Sequence, residues 1–273
     1  MTTFANVMVK DEAILLAALA PYWLTYPIDK WVFYDDNSTD GTAEVIRDLF
    51  GENATIINDA LPSFSESHNR SRMFEYSREH RAKFVVSIDA DELISSNLLA
   101  NFDEALLENE QYDVQYYWFN VVGSLAKIRQ DPQYVRNFRT FILPVQSCAT
   151  FDTTLFKYHT PRTPRVRLQQ TFEDERGFIH LQAINKRYYV FKQLWYKHFE
   201  FKEYGHPVDY INSRYDPVVN GLQFNEKKTP KEVIDGIKFD AAVYDEVEKV
   251  KGYREYVLAN LNPELVTFGK EYL

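Results

Sequence analysis

The chain has 273 residues, a formal net charge of −9 at pH 7 and a sequence pI near 5.3. Such an acidic chain repels a polyanion, so we expect no nucleic-acid partner. Its single cysteine, Cys148, excludes an internal disulfide framework and fits a reducing compartment. The length suits one large domain or one domain with an appendage.

The sequence shows no targeting or membrane-spanning pattern. The first six residues lack a charged lead and a long apolar stretch, so we expect no signal peptide. The longest apolar run, residues 13–20, is far too short to cross a bilayer. We therefore expect a cytoplasmic protein, with the inner face of a membrane as an alternative location. The acidic composition allows no more than weak peripheral association there.

The first half of the chain alternates strand and helix patterns. Strands are predicted at residues 4–9, 31–34, 54–57 and 83–88, and helices beginning at 11–12 and spanning 42–50, 65–80 and 95–108. This alternation predicts an α/β fold with a doubly wound, mostly parallel sheet.

The second half has a different pattern. Strands are predicted at 114–122 and 140–143, an irregular Pro- and Arg-bearing stretch at 157–165, and a helix at 185–204. From about Gly205 the chain is polar and helix-prone. We expect breaks there at Pro207, Pro217, Gly221 and Pro230.

An acidic segment follows the second predicted strand. Residues 35–42, here named the first acidic turn, read Asp-Asp-Asn-Ser-Thr-Asp-Gly-Thr. Helix capping by Asp40 or Thr42 explains part of this segment. It does not explain Asp35 and Asp36 together at the strand end, where ligands of open α/β sheets bind. A carboxylate there can accept the imide N–H of a pyrimidine base while its neighbour holds the sugar.

A second acidic segment follows the fourth predicted strand. Residues 89–92, here named the second acidic turn, read Asp-Ala-Asp-Glu. Oxygen ligands of this kind favour Mg²⁺ or Mn²⁺, and such a cation can neutralise a diphosphate leaving group. A solvated acidic loop is the alternative interpretation of this segment taken alone. Both turns should lie at one edge of the sheet.

Together the two turns resemble the GT-A glycosyltransferases, in particular the family 2-like group. The matching motifs are Val9-Lys10-Asp11-Glu12, the D-D-x-S-x-D-G-T pattern at 35–42, and D-A-D-E at 89–92. The resemblance covers the first 120 residues and extends more loosely to Trp195. It implies a GT-A fold, a nucleotide-sugar donor, a divalent metal (Mn²⁺ or Mg²⁺) and inversion at the anomeric carbon.

The resemblance also implies roles for individual residues. Asp35 and Asp36 would contact the base and ribose, Asp89 the ribose or the metal, and Asp91 would be the main metal ligand. Further candidate contacts to the nucleotide sugar are Val9, Glu12, Arg70 and Ala90. Asn69 and Arg72, on the same predicted helix as Arg70, are placed to reach the nucleotide as well. His180 resembles a histidine that completes metal or diphosphate binding, with a structural histidine as the alternative.

An inverting transferase needs a general base that takes the proton of the acceptor hydroxyl. The acidic run at 173–175 lies where the family carries this base, and mutual repulsion can raise the pKa of one of its members. Asp174 is the first candidate and Glu173 the second, with Glu175 adjoining; a solvated turn is the alternative. Arg162, Arg165 and Arg167 are candidate contacts to diphosphate or an anionic acceptor, or partners for the chain's excess acids.

The resemblance implies one glycosyltransferase domain with a nucleotide-sugar half at 1–120 and an acceptor half at 121–204. The polar, helix-prone pattern that follows predicts a helical C-terminal extension at 205–273. The predicted activity is metal-dependent, inverting transfer of a sugar from a UDP-, dTDP- or GDP-linked donor to a glycan or lipid-linked acceptor. The alternatives are a non-catalytic GT-A module that binds a glycan or a partner, and a Mg²⁺-dependent phosphatase or nucleotidyltransferase.

Overall fold

The computed structural model describes residues 1–59, 65–130, 138–145, 162, 169–171, 175–220 and 226–273. Its contacts divide the chain into two compact units. The first unit comprises Met1–Trp118, Phe138–Ile179 and Lys231–Ile237, and the second Phe119–Asn137, His180–Pro230 and Lys238–Leu273. The predicted boundary after residue 204 falls inside the second unit, and the division by function stays a prediction.

The described strands and helices are the following. The strands are β1 (Thr3–Val9), β2 (Lys30–Asp35), β3 (Ala54–Ile57), β4 (Phe84–Ser87), β5 (Glu92–Ile94), β6 (Asp113–Val122), β7 (Ser124–Arg129), β8 (Phe138–Arg139), β9 (Ile142–Pro144), β10 (Gln169–Thr171), β11 (Gly177–His180) and β12 (Glu226–Lys228). The α-helices are α1 (Ala13–Trp23), α2 (Thr42–Phe50), α3 (Glu66–Glu79), α4 (Ser96–Ala100), α5 (Phe102–Gln111), α6 (Lys186–Tyr204), α7 (Val208–Asn220), α8 (Lys231–Ile234), α9 (Val243–Lys251) and α10 (Tyr253–Ala259).

The main sheet of the first unit has the order β3-β2-β1-β4-β9. β1 is parallel to both β2 and β4, β2 is parallel to β3, and β9 is the antiparallel edge strand. The predicted α/β class with a mostly parallel sheet is confirmed. Because β2 and β4 flank β1 and run in the same direction, their carboxyl ends lie at the same edge of the sheet.

Apolar side chains cover both faces of this sheet, as expected for a buried parallel sheet. On one face, Trp31 stacks on Trp23 with ring centroids 5.2 Å apart, and Phe50 packs against Trp31 at 5.2 Å. On the other, Met73 and Phe74 of α3 pack in a buried cluster with residues of β1, β2 and β4. The rigid sheet that results fixes where its strand ends point.

The antiparallel strand β6 extends the structure beyond this sheet. β6 pairs with β7 and β8 antiparallel and with β10 parallel, and it lies beside β11, whose other neighbour is β5. Gly177 at the start of β11 is required by close approach, because a Cβ there would lie 2.1 Å from the carbonyl oxygen of Tyr117. Through β11, the strand β5, which begins in the second acidic turn, belongs to the same sheet as β6.

The second unit is built around α6. Helices α7 and α10 pack against α6, and a buried cluster including Leu194, Val219 and Val257 forms their core. The Nζ of the buried Lys197 donates to Asp216 Oδ1 at 2.7 Å and to Thr267 Oγ1 at 2.8 Å. The helical C-terminal region predicted from sequence is therefore confirmed. No helix among the described residues is long and apolar enough to cross a membrane.

Two element predictions were wrong. The helix predicted at 95–108 is divided into α4 and α5 at Asn101, whose side-chain Nδ2 donates to the Asn97 carbonyl at 2.8 Å. Asparagine interrupts helices in this way because its amide competes for backbone partners. The break predicted at Pro217 does not occur, because Pro217 lies inside α7. The buried stripe of Ile211, Tyr215 and Val219 outweighs the hydrogen bond lost at the proline.

Candidate active site

The two acidic turns leave the same edge of the main sheet, each at the end of its strand. The first follows β2 and the second follows β4, with β1 between them. Neighbouring strands are about 4.8 Å apart, so the two strand ends are separated by roughly 10 Å. Both turns belong to the first unit. This separation is one that a nucleoside diphosphate can bridge.

Most polar groups of the first acidic turn hold the turn itself together. Asp35 is 2% exposed, and its Oδ1 accepts the backbone N–H of Ser38 at 2.8 Å. Asp40 accepts the N–H groups of Thr42 and Ala13, both at 3.0 Å. Gly41, at φ +88°, provides the left-handed residue immediately before α2. These bonds join the end of β2 to the start of both α1 and α2.

Further hydrogen bonds connect the first turn to the loop that follows β1. Asp11 sits at φ +53°, and its Oδ1 accepts the N–H of Thr39 at 2.7 Å. The N–H of Asp11 donates to Ser38 Oγ at 2.9 Å, and that of Glu12 to Thr42 Oγ1 at 2.8 Å. The two loops therefore form one rigid unit, in which strained backbone such as that of Asp11 is kept by its surroundings.

The carboxylate of Asp36 lies in a different environment from those of Asp35 and Asp40. Asp36 is half-buried, and its backbone N–H donates to the Val9 carbonyl at 3.0 Å. Burial raises the pKa of the Asp36 carboxyl above its ordinary value, and the Asp35 carboxylate adds to the rise, while Lys10 and Asn69 lower it. The Asn69 side chain beside it is 2% exposed, and its Nδ2 makes no hydrogen bond of normal geometry to the described residues. A desolvated acceptor thus lies beside a buried donor amide.

The second acidic turn is organised by Glu92, which is fully buried. Glu92 Oε2 accepts the backbone N–H of Asp89 at 2.9 Å, and the N–H of Glu92 donates to the Asp89 carbonyl at 3.1 Å. The indole Nε1 of Trp118 donates to Glu92 Oε1 at 2.6 Å. Trp23 Nε1 donates to the Glu92 backbone carbonyl at 3.0 Å. Hydrogen bonds to both the side chain and the backbone of Glu92 therefore hold the turn in place.

Two arginines bind the carboxylates of this turn. Arg162 donates through Nη2 to Asp89 Oδ2 at 2.5 Å and through Nη1 to Glu92 Oε2 at 2.5 Å, and its side chain is only 10% exposed. Burial opposes its charge, but Asp89, Glu92 and Asp91 outweigh burial and hold the pKa of the guanidinium above its ordinary value. Arg70 of α3 lies 3.3 Å from Asp89 Oδ1 and also binds Glu66 at 2.8 Å.

The carboxylates of this cluster are oxygen ligands of the kind that a divalent cation takes. Among the described side chains, Arg70 binds Glu66 and Asp89, and Arg162 binds Asp89 and Glu92. Within the described ranges, no group of three or more His, Cys, Asp or Glu side chains is placed to hold a metal by itself. Mg²⁺ commonly takes only one or two protein carboxylates and completes its shell with substrate phosphates and water. The half-buried Asp91 fits that form of coordination.

The remaining predicted residues lie in different environments. Val9 ends β1 and is 2% exposed, so it can contact a ligand only through its backbone groups. Ala90 is buried within the second turn. Glu12 is half-buried and immediately precedes α1. His180 ends β11 in the second unit, where its Nδ1 is 2.8 Å from Asn120 Oδ1.

The predicted general bases and two of the arginines lie outside the described residues. These are Glu173, Asp174, Arg165 and Arg167. Glu175 is described, and its backbone carbonyl accepts from Asn97 Nδ2 at 3.1 Å. Trp118 is not among the residues predicted from sequence, because no local pattern signals its contact with Glu92. Arg162 pairs with acids of its own chain, one of the two alternatives considered for it.

A family model matches the part of the sequence that carries both acidic turns. Residues 12–175 match the model of glycosyl transferase family 2, which includes both acidic turns and Arg162. The chain belongs to that family. Its α/β sheet with a helical C-terminal region is the GT-A fold, and the general assignment as a glycosyltransferase follows from the family. No curated protein sequence matches the chain.

Solved structures resemble the chain only in part. TarS from S. aureus, residues 1–349, is 12% identical over 99% of this chain and 76% of that one, with a TM-score of 0.48. In a longer TarS structure the match covers 73% of this chain and only 40% of that one, at 13% identity and a TM-score of 0.47. Mannosyl-3-phosphoglycerate synthase from Rubrobacter xylanophilus is 21% identical over 44% of this chain and 41% of that one, with a TM-score of 0.34.

Proposed function

We propose that this protein is a metal-dependent, inverting glycosyltransferase that uses a nucleoside-diphosphate sugar and acts in polysaccharide or glycan biosynthesis. The observation that carries the proposal is the pairing of two unlike acidic sites at one sheet edge. One is Asp36 beside the buried Asn69 amide, and the other is Asp91 beside the arginine-bound carboxylates. Together they would bind the two ends of a nucleoside diphosphate, the base and the charged diphosphate.

The base is assigned to the first acidic turn. Asp36 would accept an imide N–H, and the Asn69 amide would donate to a neighbouring carbonyl of the same ring. Ligand binding would then satisfy the buried Nδ2 of Asn69 and offset the desolvation of Asp36. A uracil, thymine or guanine ring presents such an imide, so UDP-, dTDP- and GDP-linked sugars are the proposed donors. Asp35 would contribute by holding the turn in shape, because its carboxylate accepts the backbone N–H of Ser38.

The diphosphate is assigned to the second acidic turn. Asp91 is the proposed protein ligand of Mn²⁺ or Mg²⁺, and Asp89 is the proposed contact to the ribose or the cation. The bound cation would supply the positive charge that neutralises the departing diphosphate. The half-buried Asp91 supports this assignment, because Mg²⁺ commonly takes only one or two protein carboxylates and completes its shell with substrate phosphates and water. The role of His180, which lies in the second unit, stays a prediction from the sequence.

The transfer step requires a base on the acceptor side. The acceptor hydroxyl oxygen would attack the anomeric carbon, and the bond from that carbon to the diphosphate oxygen would break with its electron pair leaving on the diphosphate. Asp174, with Glu173 as second choice, would take the hydroxyl proton. The acceptor is proposed to be a glycan or a lipid-linked glycan. Cytoplasmic location, with weak membrane association in the lipid-linked case, stays part of the proposal.

A thermal-shift screen of nucleoside diphosphates tests this function. A ligand that binds only the folded state raises the melting temperature, and at 100 times Kd the gain in stability is about 2.7 kcal/mol. We expect UDP, dTDP or GDP to stabilise the protein with Mn²⁺, and the effect to disappear with chelator and in Asp91→Ala. Asp103→Ala, an acid in the first turn of α5, is the matched control.

The same samples separate the alternatives. Stabilisation by a nucleoside diphosphate without transfer to any glycan acceptor would favour a binding module. Release of inorganic phosphate would favour a phosphatase. Equal responses with and without Mn²⁺ would contradict the assignment of Asp91.

A further inference from the structure

The feature that goes beyond the proposed function is a buried histidine of the second unit. His198 of α6 is 1% exposed. Its Nδ1 lies 2.8 Å from the Leu194 carbonyl oxygen, and its Nε2 lies 3.4 Å from the backbone nitrogen of Asn262. A carbonyl oxygen only accepts, so Nδ1 carries a proton and donates it, whereas a backbone N–H only donates, so Nε2 accepts. These two partners therefore select the neutral imidazole with its proton on Nδ1.

The bond to Asn262 joins α6 to residues 260–268, here named the docked segment. The apolar side chains of this segment that are buried are Leu265, Val266 and Phe268. Lys197, adjacent to His198, makes a second polar connection, because its Nζ donates to Thr267 Oγ1 at 2.8 Å. The docked segment is therefore held on α6 by a neutral histidine and a buried lysine as well as by apolar packing.

The surroundings of His198 disfavour a charged imidazole. Burial lowers its pKa, and the Lys197 cation adds to the fall, while the hydrogen bond to the Leu194 carbonyl opposes it. Further charged groups on the elements packed around this part of α6 are Lys202 on α6 itself, Asp216 on α7, Arg254 and Glu255 on α10, and Glu264 in the docked segment. Asp216 binds Lys197 at 2.7 Å, and among the described residues no carboxylate pairs with His198. A proton on His198 thus gains no partner of opposite charge.

We propose that His198 is a pH-sensitive switch that releases the docked segment from α6 when it takes up a proton. Protonation turns Nε2 from an acceptor into a donor that faces the N–H of Asn262, so this bond is lost and two donors meet. It also places a second cation beside the buried ammonium of Lys197, in a site from which water is excluded. Release of the docked segment exposes the imidazole to water, where it can keep the proton.

Proton linkage sets the pH range of the switch. The ordinary pKa of the imidazole is 6.5 and the docked state has a lower one, so the released state binds the proton more tightly. Docking is therefore at full strength above pH 6.5 and weakens as the pH falls from 6.5 toward the lowered value. At one pH unit below the ordinary value, protonation favours the released state by at most about tenfold.

Hydrogen exchange of the whole protein, followed by mass spectrometry at pH 7.5 and pH 5.5, tests this switch. An unstructured peptide corrects for the intrinsic pH dependence of exchange, and peptides of the first unit are the internal reference. We expect the protection of residues 260–268 to fall about fivefold to tenfold at pH 5.5. His198→Gln does not titrate, so its protection should agree at the two pH values within about twofold. His206→Gln is the matched control, because His206 is 40% exposed in the same unit, and it should keep the wild-type response.

A measurement on the wild type decides the question if His198→Gln does not fold. Nitrogen-resolved NMR of the imidazole of His198, assigned through its own backbone signals, shows which ring nitrogen carries the proton and at what pH the ring titrates. We expect the proton on Nδ1 and titration below pH 6.5. A proton on Nε2 instead, or titration at or above pH 6.5, would overturn the switch.

The exchange experiment has equally distinct outcomes. Unchanged protection of residues 260–268 in the wild type, or the same fall in His198→Gln as in the wild type, would overturn the role of His198. A fall that occurs in the wild type and in His206→Gln but not in His198→Gln would establish it.

Discussion

The two acidic turns resemble each other in sequence but use their carboxylates in opposite ways. In the first turn, Asp35 and Asp40 accept backbone N–H groups and hold the loops in place. In the second, Asp89 and Glu92 accept from the guanidinium of Arg162, a residue distant in sequence. The carboxylates of the first turn are therefore held by backbone N–H groups, whereas those of the second also bind a charged side chain that is distant in sequence.

This difference shows that an acidic motif does not reveal which of its carboxylates is available to a ligand. Each turn engages most of its acids in holding its own shape. The acid with the environment of a binding group is Asp36, whose pKa is raised by burial, and Asp91 is the proposed metal ligand of the second turn. Substituting an engaged acid should affect stability, whereas substituting Asp36 or Asp91 should affect binding.

The largest expected effect is at Asp91. Asp91→Asn removes the proposed metal ligand with little change in shape, and we expect kcat/KM for transfer to fall by about three orders of magnitude, or roughly 4 kcal/mol. The matched control is Asp40→Asn, an equal change of charge in the first turn. It should keep kcat/KM within a few-fold while lowering the melting temperature. Equal losses of activity in the two variants would contradict the distinction between the turns.

A large loss of stability is expected at Glu92. Glu92→Gln removes one partner of a buried ion pair, and we expect the free energy of unfolding to fall by about 3 kcal/mol in urea titrations. Glu75→Gln is the control, because the pair of Glu75 with Arg72 is partly exposed, at 33% and 43%. A pair of that kind contributes about 0–1 kcal/mol. A similar small loss at Glu92 would mean that the long-range charge does not organise the second turn.

Substitutions of the neighbouring residues Asp36 and Asp35 should change the stability of the folded protein in opposite directions. Since burial raises the pKa of Asp36, its ionised form is disfavoured in the folded state, so Asp36→Asn should stabilise the nucleotide-free protein near pH 7. The same change should weaken nucleoside-diphosphate binding about tenfold, because a charged hydrogen bond is lost. Calorimetry and thermal unfolding on one preparation measure both quantities. Destabilisation by Asp36→Asn would contradict this assignment.

The pH dependence of that stabilisation checks its cause. A folded-state pKa above the unfolded one means that the folded protein binds the proton more tightly, so stability is lost as pH rises from the unfolded value through the folded one. The gain from Asp36→Asn should therefore be absent in acid below pH 3.8 and present above the raised pKa. A gain that is constant across this range would indicate a packing effect instead.

The smallest expected effect is at Asp35. Asp35→Asn weakens the bond to the Ser38 N–H, and we expect a loss of about 1 kcal/mol in unfolding free energy. Nucleotide affinity should change less than in Asp36→Asn. Urea titration and calorimetry measure the two effects, and an affinity loss as large as that of Asp36→Asn would give Asp35 a direct role in binding.

The sequence predicted the features of the fold and the site that depend on short-range patterns. The apolar runs before Asp35 and Asp89 predicted β2 and β4, and the parallel sheet then predicted that both turns would share an edge. Sequence patterns did not predict the pairing of Arg162 with the second turn, because a contact between residues 162 and 89 has no local signature. The same holds for Trp118, whose hydrogen bond to Glu92 exists only after β5 and β6 join one sheet. Pro217 failed as a predicted break because burial of α7 outweighed a local propensity.

The central claim is that one donor nucleotide contacts both turns, Asp36 through its base and Asp91 through a cation on its diphosphate. A crystal structure with the nucleoside diphosphate selected by the thermal-shift screen, and with anomalous data that locate Mn²⁺, measures this directly. We expect the cation about 2.1 Å from an Asp91 oxygen and the base within hydrogen-bond distance of Asp36. A nucleotide that leaves either Asp36 or Asp91 without contact, directly or through the cation, would contradict the account.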